Sequence, residues 1–374
     1  MNINKKWLVD LDINLENFLD ALKKDKFEFY PVLKGYTKYG QEIQLGHSCY
    51  ALKIYYIIGK WDKLENSTKE DWVAFINSFQ MSREDFPKNS YIDQKYLKAY
   101  EKFDLKKFVK NKVKKILNTL FDKKYILNNE KIKDFIKADT KQAISTLYQV
   151  GFKQENKYLT EAMENKNILY YLESLDWSKP WNAGAQFASL CVFVETQLND
   201  LDNKNEYLNE LKKFLKNISD DKTGAFFAGE KPNKQELING AMKVITGADW
   251  IGLGIPYPEK LIDTCLAIEP ESEGCDLVDI VYVLFKCNQI TSYRNREIAS
   301  YFEKLLTEIE KHYFKKFGGF SYYQQKSQKY YYGVKVSKGL NEPDLHGTLL
   351  LVWALGMISH VIDLPFGKWK TLKP

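Results

Sequence analysis

The sequence predicts an all-α fold: an (α/α)6 barrel, or toroid, with an inner ring of helices inside an outer one. Three observations carry that expectation. Period-2 alternation, the mark of strands, is hard to find, and helical periodicity pervades the chain. Two classes of helical segment alternate, six of each. One class is apolar nearly all round, and such helices are buried between other elements. The other class bears lysine and glutamate along one wet face, so each layer would bury the next.

Taken in order, the first buried helix is expected over 47–59 (HSCYALKIYYIIG), followed by a half-wet one over 70–80 (EDWVAFINSFQ). Segment 81–103 is the least regular stretch and reads as a loop over one barrel end. Across 104–120, the lysines from Lys106 to Lys115 alternate with Phe108, Val109, Val113, Ile116 and Leu117 at helical spacing, which reads as a solvated helix face. Buried helices are then expected over 139–151, 183–197, 236–248, 276–287 and 345–358. The wetter segments between them are 157–174, 206–217, 257–268 and 294–314. Glycine turns follow two of these, at Asp220–Gly229 and Lys316–Ser321, where positive φ ends a helix and reverses the chain. Asp220 and Asp221 read as turn residues. Buried helices recur at intervals of roughly 40 to 90 residues, too uneven for an open solenoid. A closed ring with unequal loops accommodates them. The reading is one domain over 1–374 with a core from about 45 to 362.

Composition bounds the function. An apolar fraction of 44% supports a sizeable core. A net charge of +6 spread over 55 basic and 49 acidic residues is too dilute to announce a nucleic-acid binder. Only Arg83, Arg294 and Arg296 are arginines, so bidentate phosphate clamps would be few. The 25 tyrosines and 22 phenylalanines fit either an aromatic-lined cavity or a compositional bias. Five cysteines, odd in number and without metal spacing, suggest a reducing compartment. No apolar signal core and no run of 18 apolar residues is present, so a cytoplasmic protein without a membrane span is expected. Phosphate-loop, dinucleotide, nucleophile-elbow and metalloprotease motifs are all missing from the sequence.

The last third carries the most specific pattern. Gly318-Gly-Phe320 closes an outer helix, and Asp344-Leu-His346-Gly-Thr348 opens the apolar helix Leu349–Gly356. His47–Leu52 and Asp139–Ile144 look like earlier copies, and Asp71–Gln80 like an outer-helix ending. This cadence resembles the repeats of the α/α-toroid superfamily, which includes protein prenyltransferase β-subunits and squalene and terpene cyclases. The resemblance covers most of the chain from about residue 45 in degenerate form. In the prenyltransferases an Asp, a Cys two residues on and a His of the last repeat hold zinc. The matching positions here are Asp279, Val281 and His346. With the thiolate gone, two ligands remain where zinc takes three or four, so no metal or other cofactor is expected. The family's diphosphate-gripping basic positions match Glu273 and Asp276, which disfavours a prenyl diphosphate. Cyclases use an Asp-x-Asp-Asp cluster; Glu271, Glu273, Asp276 and Asp279 form an acidic cluster without that motif.

From the residues themselves, Asp276 and Asp279 are three apart and share a helix face. Two like charges in a dry site raise one pKa, making a general acid; capping of the helix start is the plainer role for them. His346, preceded by Asp344, could relay protons at the same mouth or bond a neighbouring loop. His47 heads another buried helix; His312 and His360 read as structural or exposed. Tyr322, Tyr323, Tyr330, Tyr331 and Tyr332 precede the last buried helix, and Trp177, Trp181 and Asn182 precede the third. They would rim the mouth and meet sugar rings or cations, or simply pack the loop. Three functions stay open. One is an acid/base enzyme acting on an isoprenoid or polycyclic substrate, by resemblance. The second is a carbohydrate-active (α/α)6 enzyme of the glycosidase, lyase or epimerase kind, suited to a surface-polysaccharide pathway. The third is a non-catalytic toroid that binds a ligand or partner. The oligomeric state is left open.

Overall fold

The structure is a computed structural model describing residues 5–102, 105–121, 127–199, 203–270 and 272–374. Its helices, in chain order, begin with α1 (Leu11–Leu22), α2 (Lys38–Glu42), α3 (Leu45–Ile57) and α4 (Asn66–Asn77). The ribbon β1 (Gln80–Met81) and β2 (Ser90–Tyr91) precedes α5 (Gln94–Glu101), α6 (Leu105–Phe121) and α7 (Asn128–Gln149). Next come α8 (Glu161–Glu164), α9 (Ile168–Glu173), α10 (Pro180–Gln197), α11 (Lys204–Ile218) and α12 (Lys234–Trp250). Then follow α13 (Pro258–Leu266), α14 (Gly274–Asn288) and α15 (Asn295–Glu310). Two ribbons, β3 (Tyr313–Phe314) with β4 (Gly319–Phe320) and β5 (Tyr330–Tyr331) with β6 (Val334–Lys335), lead to α16 (Leu345–Ile358). The protein is predominantly helical, and among the described residues its sheets are these two-residue antiparallel pairs. No described helix is long and apolar enough to cross a membrane.

All six apolar segments lie in helices, five of them close to their expected bounds. In α16 every residue but His346 is buried, and in α3 every residue but Tyr56. Each of the six packs on the next: α3 on α7, α7 on α10, α10 on α12, α12 on α14, α14 on α16, and α16 on α3 again. Neighbours run in the same direction. From α12 to α14, Asn239 bonds Asp276 near the helix starts, and Asp249 pairs with Lys286 at 3.0 Å near the ends. From α7 to α10, Lys137 bonds Gln186, and Tyr148 bonds the Thr196 carbonyl further along. The closest pair is α10 with α12, where Gly247 admits it: a Cβ there would lie 2.8 Å from Ala188 Cα. The N-terminal ends of these parallel helices therefore gather at one end of the molecule.

Amphipathic helices pack outside them. α4 lies on α3, α11 on α10, α13 on α12 and α14, and α15 on α13 and α14. In α15 the buried residues Ile298, Tyr301, Phe302, Leu305, Leu306 and Ile309 recur at three and four residues, the stripe a covering helix needs.

The structure departs from expectation in several places. α7 begins at Asn128 rather than 139, so Asp139 sits in mid-helix. The helix expected over 157–174 is two short ones, α8 and α9, parted at Lys166, whose φ is +52°. Segment 81–103 contains one strand of a ribbon and α5. The N-terminal α1, unread in the sequence, buries Leu11, Leu15, Phe18, Leu19 and Leu22.

Candidate functional site

The loop before α16 closes over the gathered helix starts, and Asp344 organises it. At the N-cap of α16 its Oδ1 accepts from the Gly347 N–H at 2.7 Å, while Oδ2 accepts from the N–H groups of Tyr322 (2.7 Å) and Gln328 (3.1 Å). Burial pushes this carboxyl up to about 6 against those three bonds. Through these bonds Asp344 knits the loop to the helix.

His346, two residues on, lies between two phenol rings. Tyr50 of α3 stacks on it at 4.8 Å and 15°, and Tyr322 at 5.6 Å and 16°. Its Nδ1 lies 2.8 Å from Gln328 Oε1, an acceptor, which assigns the ring proton to Nδ1 and leaves Nε2 basic. Burial, helped by the charge of Lys243 and by His47, holds the imidazole neutral, with its pKa lowered to about 3. His47 is 2% exposed, presents its edge to Tyr331 at 5.8 Å, and has an Nδ1 without a hydrogen-bond partner. Desolvation lowers it to about 4.

Tyr331 is buried, and its hydroxyl donates to Oδ1 of Asp139. The other oxygen of Asp139 has no partner, and burial pushes the carboxyl up to about 8. Tyr332 stacks on Phe135 at 5.2 Å. The Tyr322 hydroxyl reaches Glu273 at 3.3 Å, and Tyr323 lies across Tyr322, partly exposed. The gap lined by His47, Tyr50, Gln328, Tyr331, Asp344 and His346 is about 10 Å³, at the limit for one water.

On α14, Asp276 accepts from Asn239 Nδ2 at 2.9 Å. One turn further, Asp279 is 1% exposed, and its Oδ2 has no partner. Its pKa rises to about 7, chiefly through burial; Lys243 opposes the rise and Asp276 adds to it. The expected like-charge effect is thus present but secondary to desolvation. Glu271 lies outside the described residues.

Sequence reasoning missed the lysines that share this interior. Lys53 of α3, Lys141 of α7 and Lys243 of α12 come from separate buried helices. Burial lowers Lys53 to about 8, and it lowers Lys141 well below the usual range, with the charges of Lys53 and Lys243 adding to that. Among the described residues no hydrogen bond or ion pair engages these three ammonium groups. Lys141, Lys243, Cys275 and His346 keep partial accessibility although their helices are packed on both sides. A lysine inside an all-apolar run, as in Tyr50-Ala-Leu-Lys53-Ile54, was the available signal.

Trp181 and Asn182 sit apart from this group. Both are exposed in the first turn of α10, where the Trp181 N–H donates to Glu236 Oε1 at 3.0 Å. His312 is buried, with Nδ1 against the Ser321 carbonyl, and Asp220 braces its turn through Thr223. No cluster of three or more His, Cys, Asp or Glu able to hold a metal occurs among the described residues. At the positions that the resemblance matches to zinc ligands stand Asp279, Val281 and His346, and the valine offers no donor. Compared with known proteins, the chain matched no family model, no curated protein and no solved structure.

Proposed function

We propose that the six parallel buried helices and their covering helices form an α/α toroid whose interior is an active site for acid/base chemistry on an isoprenoid or polycyclic substrate. The observation that carries this reading is Asp279: a buried carboxyl with one oxygen unpartnered and its proton retained to about pH 7. An orphaned buried acceptor costs stability, and perturbed acids of this kind concentrate where they are used. Asp279 is assigned the general acid that protonates a terminal alkene or epoxide. Ring closure follows, and loss of a proton to a base such as His346 Nε2 leaves an isomer of the substrate.

The side chains of Lys53, Lys141 and Lys243 favour a second reading, an anionic carbohydrate such as a uronate-bearing glycan, because their amino groups offer donors that a hydrocarbon cannot use. One experiment separates the two. Purified protein is incubated with linear polyprenols and their terminal epoxides, and separately with uronate oligosaccharides, and products are analysed by mass spectrometry. A cyclised isomer that disappears in Asp279→Asn, with melting temperature retained, supports the first reading. Cleaved or epimerised oligosaccharide moves the assignment to the second. If no product forms from either class and Asp279→Asn changes only stability, the catalytic reading fails.

A further inference from the structure

The helix α6 is built inside out. Val109, Val113 and Ile116, spaced i, i+4 and i+7, share one side, and they are 51%, 49% and 55% exposed. Among the described side chains of α6 the half-buried ones are Asn111, Lys114, Leu117 and Asn118, of which the three polar residues lie on the opposite side. Asn111 Oδ1 accepts from the Asn128 N–H at the start of α7 at 2.9 Å, and Lys114 lies beside Lys131 of the same helix. Three polar residues and Leu117 thus lie on the half-buried side, while the aliphatic stripe of Val109, Val113 and Ile116 faces away. The sequence reading of a solvated lysine face describes only half of this element.

Charge identifies what covers the stripe. Residues 105–121 hold six lysines and no acidic residue. The remaining 49 basic residues equal the 49 acidic ones, so this single helix accounts for the entire formal charge of +6. Lys110 and Lys115 are exposed on either side of the aliphatic stripe. A second copy of the helix would bring two such charged faces together and repel. Nucleic acid would engage the lysines but leave the valines and isoleucine in water.

We infer that α6 docks the protein on an anionic lipid surface, with Val109, Val113 and Ile116 entering the headgroup–acyl boundary and the lysines meeting lipid phosphates. The docking is peripheral and reversible, since one short amphipathic helix is far from a membrane span. It stands independently of the acid/base reading, although a lipid-soluble substrate would make such docking useful.

The test is cosedimentation of the full chain with vesicles of phosphatidylcholine alone or mixed with phosphatidylglycerol, at low and high salt. Binding is expected to the mixed vesicles, weakened by salt and by removal of the anionic lipid. Lys110→Glu with Lys115→Glu should weaken it on the order of 100-fold. Val109→Ser, Val113→Ser and Ile116→Ser together should also release the protein while circular dichroism and melting temperature stay unchanged. If the serine variant binds as wild type, the contact is mere electrostatic adsorption and the inference is overturned. It is equally overturned if wild type ignores every vesicle, or if sedimentation shows a dimer that the serine variant loses.

Discussion

The Tyr331 hydroxyl donates to Oδ1 of Asp139 across 192 residues of sequence, fastening the loop before α16 to the middle of α7. Tyr331 also meets His47, Tyr50 and Tyr96 edge-on, so one side chain holds the loop against three other elements. Tyr331→Phe keeps those ring contacts and deletes only the donor, leaving both Asp139 oxygens unpaired. The expected loss is about 1–3 kcal/mol in urea unfolding, with the Asp139 carboxyl driven further up because the bond that favoured its ionised form is gone.

Asp139 also makes stability depend on pH. Its folded pKa of about 8 lies far above the ordinary 3.8, so between those values the folded chain holds a proton that the unfolded chain has lost. The stability it contributes is therefore complete below about pH 4 and drains away as pH rises through about 8. Asp139→Asn cannot titrate. Wild type and variant should be similar near pH 4, and the variant should gain on wild type by up to roughly 6 kcal/mol by pH 9. Urea midpoints across that range check the sign, because other titrating groups cancel in the difference.

Gly46, in the first turn of α3, leaves room for that tyrosine. A methyl group at residue 46 would overlap the Tyr331 hydroxyl and ring. Gly46→Ala should thus destabilise by roughly 1–3 kcal/mol through forced displacement of the loop, despite alanine's better helix propensity. Adding Tyr331→Ala should recover part of that loss, giving a coupling energy that a double-mutant cycle reads directly.

The buried helices were legible because burial on all sides leaves no polar face to confuse the pattern, as the run Leu349–Ile358 shows. The start of α7 was not, because its first turns carry Lys131, Lys133 and Lys137, which break the all-apolar pattern, and no helix was expected before residue 139. That error hid Asp139, taken for the head of a helix when it lies in the middle of one. His346, Tyr322 and Tyr331 were legible as a group because they flank the opening of one apolar helix. Tyr50, which stacks on His346, and Lys243, whose charge acts on it, were not, since what joins them is the parallel stacking of separate helices. Trp181 and Asn182 share the helix-start position of the others, but the first turn of α10 projects them into solvent.

Asp279 offers a way to separate the causes of an elevated pKa. Burial contributes most, Lys243 opposes it, and Asp276 adds to it. Lys243→Met should accordingly push Asp279 above about 7, whereas Asp276→Asn should pull it below. Infrared spectroscopy of the protonated carboxyl band follows the shift directly, with Asp279→Asn identifying the band. If desolvation dominates, both single changes leave the acid well above the usual carboxylate range, and neither returns it to 3.8. A collapse to the ordinary value in Asp276→Asn would instead make the acidic pair the principal cause, as the three-residue spacing on α14 first suggested.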